Sequence, residues 1–286
     1  MIRDRRSPAT TPTLAFCGAG MISLAHAAAA AMSGIPVVAV ASRTQARSAA
    51  LADRFGGEVV DYSALPAGAD IVVVATPPQC HASDAIHLLE AGAAVLLEKP
   101  LCRTLDEADA LVAAAGRHGD RLLYAENLAY APIVQQLIAL VPHIGALTHL
   151  EVRSLQGLPT WGDFTSDEWG GGALFDLGVH PLAVAMLVAN VAGHGRPAAV
   201  TARLLGGDGH GSDEHAEVRL MYRSGLVAHV VASWQGGPEP LWDIQVAGDT
   251  GVLRAELTPD HSLEHNGDPV ALPRPDGEVA ALSQFG

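Results

Sequence analysis

The sequence predicts an α/β region with a doubly wound parallel sheet, joined to an α+β region with a mostly antiparallel open sheet. Three observations carry this. Short apolar runs alternate with helical stretches up to about residue 125. A glycine loop, Gly18-Ala19-Gly20, lies between the first run and the first helix. Beyond residue 126 the rhythm changes to strands separated by Gly, Asp and Pro turns, the pattern of an antiparallel meander. The regions drawn on this basis are residues 1–126 and 127–286.

Taken in order, Met1 to Pro12 reads as a frayed arm and Thr13 to Cys17 as a strand. An alanine-rich helix then runs to about Met32, and Ile35 to Ala41 is the second strand. Asp70 to Ala75 is continuously apolar after its first residue, as expected of a strand buried on both faces. It stops at Thr76-Pro77-Pro78, and a helix from His81 to Ala91 follows. Ala94 to Leu97 is a strand, Leu105 to His118 a helix, and Arg121 to Ala125 a strand. In the second region a helix ends near Val141, Leu147 to Ser154 alternates as a strand, and a helix spans Gly172 to Val191. Five strands follow: Ala199 to Leu205, Ala216 to Tyr222, Leu226 to Trp234, Trp242 to Ala247, and Val252 to Leu257. The tail reads mostly as coil, with turn signals at Asp268-Pro269 and at Pro273 to Gly277.

Bulk properties narrow the function. With 286 residues, 49% apolar and 17% charged, the chain is long enough for two ordinary domains with ample core. A net charge of −14 argues against nucleic acid and anionic membrane surfaces as partners. Cys17, Cys80 and Cys102 form no CxxC, which suits free thiols in a reducing cytoplasm. No apolar run approaches the ~18 residues of a spanning helix. Arg5-Arg6, the apolar stretch after it and Ala25-His26-Ala27 imitate an exported leader, yet that stretch contains a strand and a glycine loop the fold needs. A cytoplasmic location is therefore expected.

The strand–turn–helix around Gly18-Ala19-Gly20-Met21-Ile22-Ser23 is a dinucleotide fingerprint with serine in place of its third glycine. Gly18 permits the tight turn, and Gly20, with Met21 and Ile22 opening the helix, lets backbone approach a pyrophosphate. The second strand ends in Ser42-Arg43-Thr44, with no acid there to bind a ribose 2′-hydroxyl. Arg43 instead offers a fork for a 2′-phosphate, with Ser42 as a further donor and Arg47 one turn later. NADP(H) is therefore the expected coenzyme, with NAD(H) the alternative.

Lys99 is the only lysine in the chain; every other basic side chain is an arginine. An ammonium is compact and freely rotating, which a planar guanidinium is not. Lys99 follows a buried strand and precedes Pro100, so it lies where ligands collect in open α/β sheets. In the second region, Gly170 to His180 contains Asp176 and His180 at i and i+4, expected on one helical face. A carboxylate beside an imidazole fixes its tautomer and suits proton transfer near neutral pH. Gly178 between them is expected to leave that face open to a flat ligand. No cluster has zinc-ligand spacing. All four tryptophans, Trp161, Trp169, Trp234 and Trp242, fall in the second region. Trp161 and Trp169, beside the glycine-rich approach to Asp176, are the candidates for packing on sugar rings, together with Tyr130.

Taken together, these motifs resemble the Gfo/Idh/MocA family of NAD(P)-dependent oxidoreductases. The resemblance rests on the Gly18-Ala19-Gly20 loop, Thr76-Pro77 with His81, Glu98-Lys99-Pro100, and Asp176-x-Gly178-x-His180. It implies a Rossmann domain followed by a substrate domain, with Thr76, Pro77, His81, Glu98 and Lys99 at the cofactor. It also implies that Lys99 and His180 contact the reacting hydroxyl, that Asp176 orients them, and that the Lys99–Pro100 bond is cis. The expected reaction moves a hydride between the nicotinamide and a carbon of a sugar, polyol or other small cyclic alcohol. The rival readings within the resemblance are a nicotinamide-dependent glycosidase and a cofactor-sensing regulator. Self-association as a dimer or tetramer is expected, because the strands from Ala216 to Leu257 offer more apolar surface than one short helix can cover.

Overall fold

A computed structural model of the chain describes residues 11–160, 162–166, 169, 171–206, 211–237 and 239–272. The arm before residue 11, Trp161, and the tail turn at Pro273 to Gly277 lie outside the described residues. The chain folds as two compact units, one ending at Ala125 and the other beginning at Glu126.

The first unit is a six-stranded parallel sheet. Its strands are β1 (Leu14–Cys17), β2 (Val37–Ala41), β3 (Glu58–Val59), β4 (Ile71–Val74), β5 (Ala94–Glu98) and β6 (Leu122–Ala125), in the order β3-β2-β1-β4-β5-β6. The crossovers are α1 (Met21–Met32), α2 (Gln45–Phe55), α3 (Pro78–Glu90) and α4 (Leu105–Arg117). Alternate residues of β1 and β4 feed opposite cores. Ala15, Cys17, Val72 and Val74 pack with Leu88, Leu97 and Leu111. Leu14, Phe16 and Val73 pack with Val40 and Leu51. That is why these strands read as unbroken apolar runs. Strand order reverses between β1 and β4, so the crevice beyond their carboxyl ends is the switch point where such sheets bind ligands. The short edge strand β3 has no signal in the sequence: two exposed residues carry too little periodicity. Helix α3 starts at Pro78, three residues before the expected His81, with proline supplying the first-turn φ. Helix α4 is closed by Thr104, whose Oγ1 accepts from Glu107 N at 3.2 Å. Glu107 reaches back to Arg103 N, and that bond holds its carboxyl below the usual carboxylate range.

The second unit contains α5 (Pro132–Leu140) and α6 (Val179–Val191), the latter preceded by a π-turn over Leu174–Gly178. Its strands are β7 (Leu147–Leu155), β8 (Ala199–Gly206), β9 (Asp213–Met221), β10 (Val227–Ser233), β11 (Leu241–Gly248), β12 (Val252–Thr258), β13 (Ser262–His265) and β14 (Asp268–Pro269). They form one eight-stranded sheet, ordered β14-β13-β12-β11-β7-β10-β9-β8, in which only β7 and β10 run parallel. The expected coil after Leu257 is therefore partly sheet. Asn266 and Gly267, both at positive φ (55° and 86°), make the two-residue turn that pairs β13 with β14.

Two helices, α5 and α6, and not one short helix, cover the middle of one face of this sheet, burying Leu137, Leu150, Val188, Val230 and Ile244 in a single core. At the β8 edge the same face leaves Val200 and Leu204 exposed. The opposite face carries His149, Glu151, Arg153, Gln245 and Arg219, and a bidentate Arg153–Asp243 pair joins β7 to β11. Charged rows on alternate positions are what the binary pattern requires of a face not packed on the core. One further expectation changes: Leu174–Val191 is an 18-residue helix apolar enough to cross a membrane by length and composition. Half of it is buried inside the protein, where its apolar residues pack against the sheet core.

Three glycines before and within that helix are set by close approach. A Cβ on Gly172, at φ 103°, would meet Asp213 Oδ1, and one on Gly171 would meet Ser212 Oγ. Asp213 uses this proximity to accept from Leu174 N at 2.9 Å, satisfying a donor at the helix start. Gly178 packs against Ala232 of β10, where a Cβ would stand 3.3 Å from the alanine methyl and 2.6 Å from Leu174. Gly178 thus serves helix–sheet packing, and does not hold that face open for a ligand as expected.

Candidate functional site

Each unit contributes its own set of site residues. In the first, Gly18 leaves β1 at φ 111°, and a Cβ there would stand 2.5 Å from Ala75 O. The turn after β1 therefore lies directly against the end of β4. Gly20 is the N-cap of α1, with no side-chain cap and no acid in the first turn. A Cβ on Gly20 would meet nothing within 4 Å. Uncapped N–H groups, the positive end of the helix dipole and room above the backbone together make a phosphate cradle. Ser23 takes the place of the third glycine without harm: it is fully buried, and its hydroxyl donates to Gly18 O at 3.1 Å. Met21 is exposed and Ile22 half-buried at this helix entrance.

Beyond β2, Ser42 is half-buried while Arg43 and Arg47 are exposed. Ser42 Oγ accepts from Thr44 N, and Arg43 N donates to Tyr62 Oη at 3.2 Å. Burial pushes the Tyr62 phenol up, so it remains a neutral hydroxyl beside this loop. At the end of β4, Thr76 Oγ1 donates to Asp84 Oδ2 at 2.8 Å, with Pro77 ahead of α3. Cys17 is inert: burial, and after it the Asp84 charge, push its thiol far up. His81 is 1% exposed, with Nδ1 2.7 Å from Pro100 O and Nε2 2.7 Å from Thr76 O. Burial lowers its pKa against the pull of those two carbonyls. Its ring joins two backbone segments, and neither nitrogen is offered to a ligand.

Glu98 closes β5. Its Oε1 lies 2.6 Å from His26 Nε2 and its Oε2 accepts from Lys99 N, both side chains of the pair being 6% exposed. His26, on α1, thereby ties the dinucleotide-loop helix to the strand that delivers Lys99. Lys99 itself is half-buried, and the Lys99–Pro100 bond is cis, as the resemblance implied.

In the second unit His180 is 6% exposed, and its Nδ1 is 2.7 Å from Glu126 Oε1. Asp176, 7% exposed, accepts from Trp234 Nε1 at 3.1 Å. The expected regular helix carrying both residues is a π-turn at Asp176 that passes into α6 just before His180. The Trp242 ring lies 5.5 Å from the His180 ring at a 37° tilt. Trp169 packs edge-on to Phe164 with ring centroids 5.2 Å apart, and it borders the small core that contains Trp234. Tyr130 is 67% exposed. Sequence reasoning overlooked His26 beside Glu98 in the first unit, and Glu126 and Trp242 beside His180 in the second. Glu126 and His26 lie 54 and 72 residues from their partners, so no local spacing betrays them. Among the described residues no group of three His, Cys, Asp or Glu could hold a metal ion.

A parallel sheet of Rossmann type with a glycine turn at its switch point, followed by a helix-backed open sheet, is the two-domain architecture of a nucleotide-binding fold joined to an α+β domain. The chain belongs to the Gfo/Idh/MocA family. Residues 13–126 match the oxidoreductase family's NAD-binding Rossmann fold, and residues 135–254 match the GFO/IDH/MocA C-terminal domain. D-apiose dehydrogenase of Paraburkholderia graminis is 30% identical over 291 residues, covering 91% of this chain and 72% of that protein. D-glucoside 3-dehydrogenase of Escherichia coli K12 is 33% identical over 186 residues, which cover 61% of this chain. The chain spans about half the length of that relative (53%). The crystal structure of GenD2 from gentamicin A biosynthesis in complex with NAD superposes with a TM-score of 0.83 at 25% identity, covering 100% of this chain and 86% of that one.

The two fingerprint glycines separate by experiment. Gly18→Ala forces a side chain into the Ala75 carbonyl at a left-handed φ and is expected to destabilise the fold by about 3 kcal/mol or more. Gly20→Ala meets no protein atom, so denaturant unfolding should be nearly unchanged while dinucleotide affinity, read by fluorescence titration, falls about tenfold or more. Unaltered affinity in Gly20→Ala would remove the cradle from the binding site.

Proposed function

We propose that the protein is a nicotinamide-dependent dehydrogenase or reductase acting on a secondary hydroxyl or the matching ketone of a sugar, polyol or small cyclic alcohol. The observation that carries this reading is His180: a buried imidazole held at one nitrogen by a carboxylate, in a family of oxidoreductases. The activities of the relatives, a D-apiose and a D-glucoside dehydrogenase, support the substrate class.

The residues of the first unit fit the coenzyme, because the Gly18–Gly20 turn and the uncapped start of α1 supply room and donors for its pyrophosphate. Bound there, the nicotinamide supplies or accepts the hydride. In the oxidative direction His180 takes the hydroxyl proton at Nε2 and returns it in the reductive direction. Lys99 donates from Nζ to the same oxygen and stabilises the charge that develops on it. Asp176, fixed by Trp234, keeps the helix start that carries His180 in place. Tyr130 and Trp169, with Trp161 outside the described residues, are the proposed contacts for the substrate ring.

For the coenzyme, the reading favours NADP(H) over NAD(H). Ser42 and Arg43 directly follow β2, and no acid stands between Val37 and Thr44 to repel a 2′-phosphate. A charge-assisted bond to a 2′-phosphate contributes roughly 1.5–3 kcal/mol, enough for a ten- to hundredfold preference.

Three measurements test this. Purified protein offered NADP+ or NAD+ with a panel of aldoses, cyclitols and aryl glycosides should show nicotinamide reduction without aglycone release. Aglycone release with no net reduction would overturn the dehydrogenase reading in favour of redox-assisted glycoside cleavage. Lys99→Arg keeps the charge but cannot place a single ammonium on the oxygen, so turnover should fall on the order of 10²–10³-fold with coenzyme affinity nearly intact. Arg43→Ala should weaken NADPH about tenfold or more while leaving NADH little changed. Equal losses for both would make Arg43 an adenine platform.

A further inference from the structure

We infer that Glu126 is a positioning residue for proton transfer, holding His180 as the Nδ1–H tautomer and stabilising the imidazolium that forms when Nε2 takes the substrate proton. This rests on the dehydrogenase reading for the identity of the substrate proton, and on the geometry of the second unit alone for the pair itself.

Glu126 lies at the start of a single 3-10 turn, Asn127–Tyr130, and caps it. Its Oε1 accepts from Leu128 N at 3.2 Å and lies 2.7 Å from His180 Nδ1. Oε1 thus accepts from Leu128, and as an ionised carboxylate Glu126 has no hydrogen to donate, so the imidazole nitrogen facing it carries the hydrogen. In a neutral ring this leaves Nε2 as the basic nitrogen. Both side chains are 7% exposed. Glu126 Oε2 is buried and has no hydrogen-bond partner among the described residues. A carboxylate so enclosed with half its acceptor capacity unused is under-compensated, and the cation best placed to relieve it is His180 after proton uptake. The protein thus holds a negative charge ready for a positive one that exists only while the proton is on His180. This is preorganisation of the kind that lowers a barrier without being consumed.

The other groups around His180 do not compete for Nδ1 in the same way. Asp176, on the π-turn, is anchored through Oδ2 by Trp234. Trp242, on β11, presents an uncharged ring. The buried residues of β7 and β10 on the core side, Leu150, Val152, Ser154, Ala228, Val230 and Ala232, carry no titratable group. Arg153 and Asp243 neutralise each other. Tyr130, on the capped turn itself, is exposed. Glu126 is therefore the charged group on which the tautomer of His180 depends. The proton balance is simple: one proton leaves the substrate hydroxyl for Nε2 as the hydride leaves its carbon for the nicotinamide. Glu126 stays ionised throughout.

The test uses full-length protein with ¹⁵N-labelled histidine, in parent, Glu126→Gln and Glu126→Asp. In the parent the His180 ¹⁵N resonances should report a dominant Nδ1–H tautomer with a downfield, slowly exchanging ring proton. Glu126→Gln should lose that proton signal and populate both tautomers. With the best substrate of the panel it should lower kcat roughly 10²-fold with KM changed less than about threefold. Glu126→Asp keeps the charge on a shorter stem, and should keep the Nδ1–H tautomer with an intermediate kcat even if the glutamine variant folds poorly. An unchanged tautomer or near-parental kcat in Glu126→Gln would overturn the inference, as would an Nε2–H tautomer in the parent. The tautomer measurement needs no substrate, so it stands or fails separately from the dehydrogenase reading.

Discussion

A carboxylate removed from water must find a partner, and this chain meets that requirement twice in the same way. Glu98 ends β5 and Glu126 follows β6 directly. Each places Oε1 within 2.6 or 2.7 Å of a histidine nitrogen and turns back on itself to accept a backbone N–H, from Lys99 or from Leu128. Such buried pairs contribute little net stability, but removing one partner costs about 3–5 kcal/mol. What they specify is direction. Glu98 and His26 settle how the chain leaves β5 and hence where Lys99 begins. Glu126 and His180 settle the turn after β6 and the orientation of an imidazole. The residues proposed for chemistry are thus placed by residues that do none.

The glycines divide along a similar line. Gly18, Gly171, Gly172 and Gly178 are each required by an approach too close for a methyl group, to Ala75, Ser212, Asp213 and Leu174 respectively. They are consequences of packing. Gly20 differs, since among the described residues nothing beyond its chain neighbours lies within 4 Å of the missing Cβ, and its φ of −83° needs no glycine. Its smallness has no structural beneficiary inside the protein, which is what a position reserved for a ligand looks like. Ser23 makes the complementary point: a third glycine is dispensable because its hydroxyl finds the Gly18 carbonyl and costs no space.

The sequence made the parallel sheet and the outline of the meander readable, because strands buried on both faces and strands alternating about a core carry strong periodic signals. The Gly18–Gly20 loop, Lys99 and the Asp176/His180 spacing were readable for the same reason: each is local. The hidden features are non-local or weakly encoded. The partners of His26 and His180 are far along the chain, and only tertiary structure brings them together. β3 is too short to show a period, and the Asn266–Gly267 turn joins strands of four and two residues, too short to carry an alternation. The expectation of one short helix against the whole sheet changes, since α5 and α6 share the task, while the β8 edge still leaves Val200, Leu204 and Leu205 exposed. Gly178 was misread because a glycine between two polar residues looks like space for a ligand until the opposing Ala232 is known.

The start of the long apolar helix shows how these constraints combine. Its first residues form a π-turn that ends in Gly178, so helical propensity contributes little there. Order comes instead from other elements: Asp213 on β9 bonds Leu174 N, Trp234 after β10 bonds Asp176, and Glu126 bonds His180. Three anchors therefore bear on seven consecutive residues, from Leu174 to His180. A regular helix would fix side-chain positions by its own geometry and tolerate loss of one anchor. A glycine-bearing, widened turn does not, so the placement of Asp176 and His180 depends on the sheet and on the turn after β6. That dependence ties the chemistry to the fold of the whole second unit.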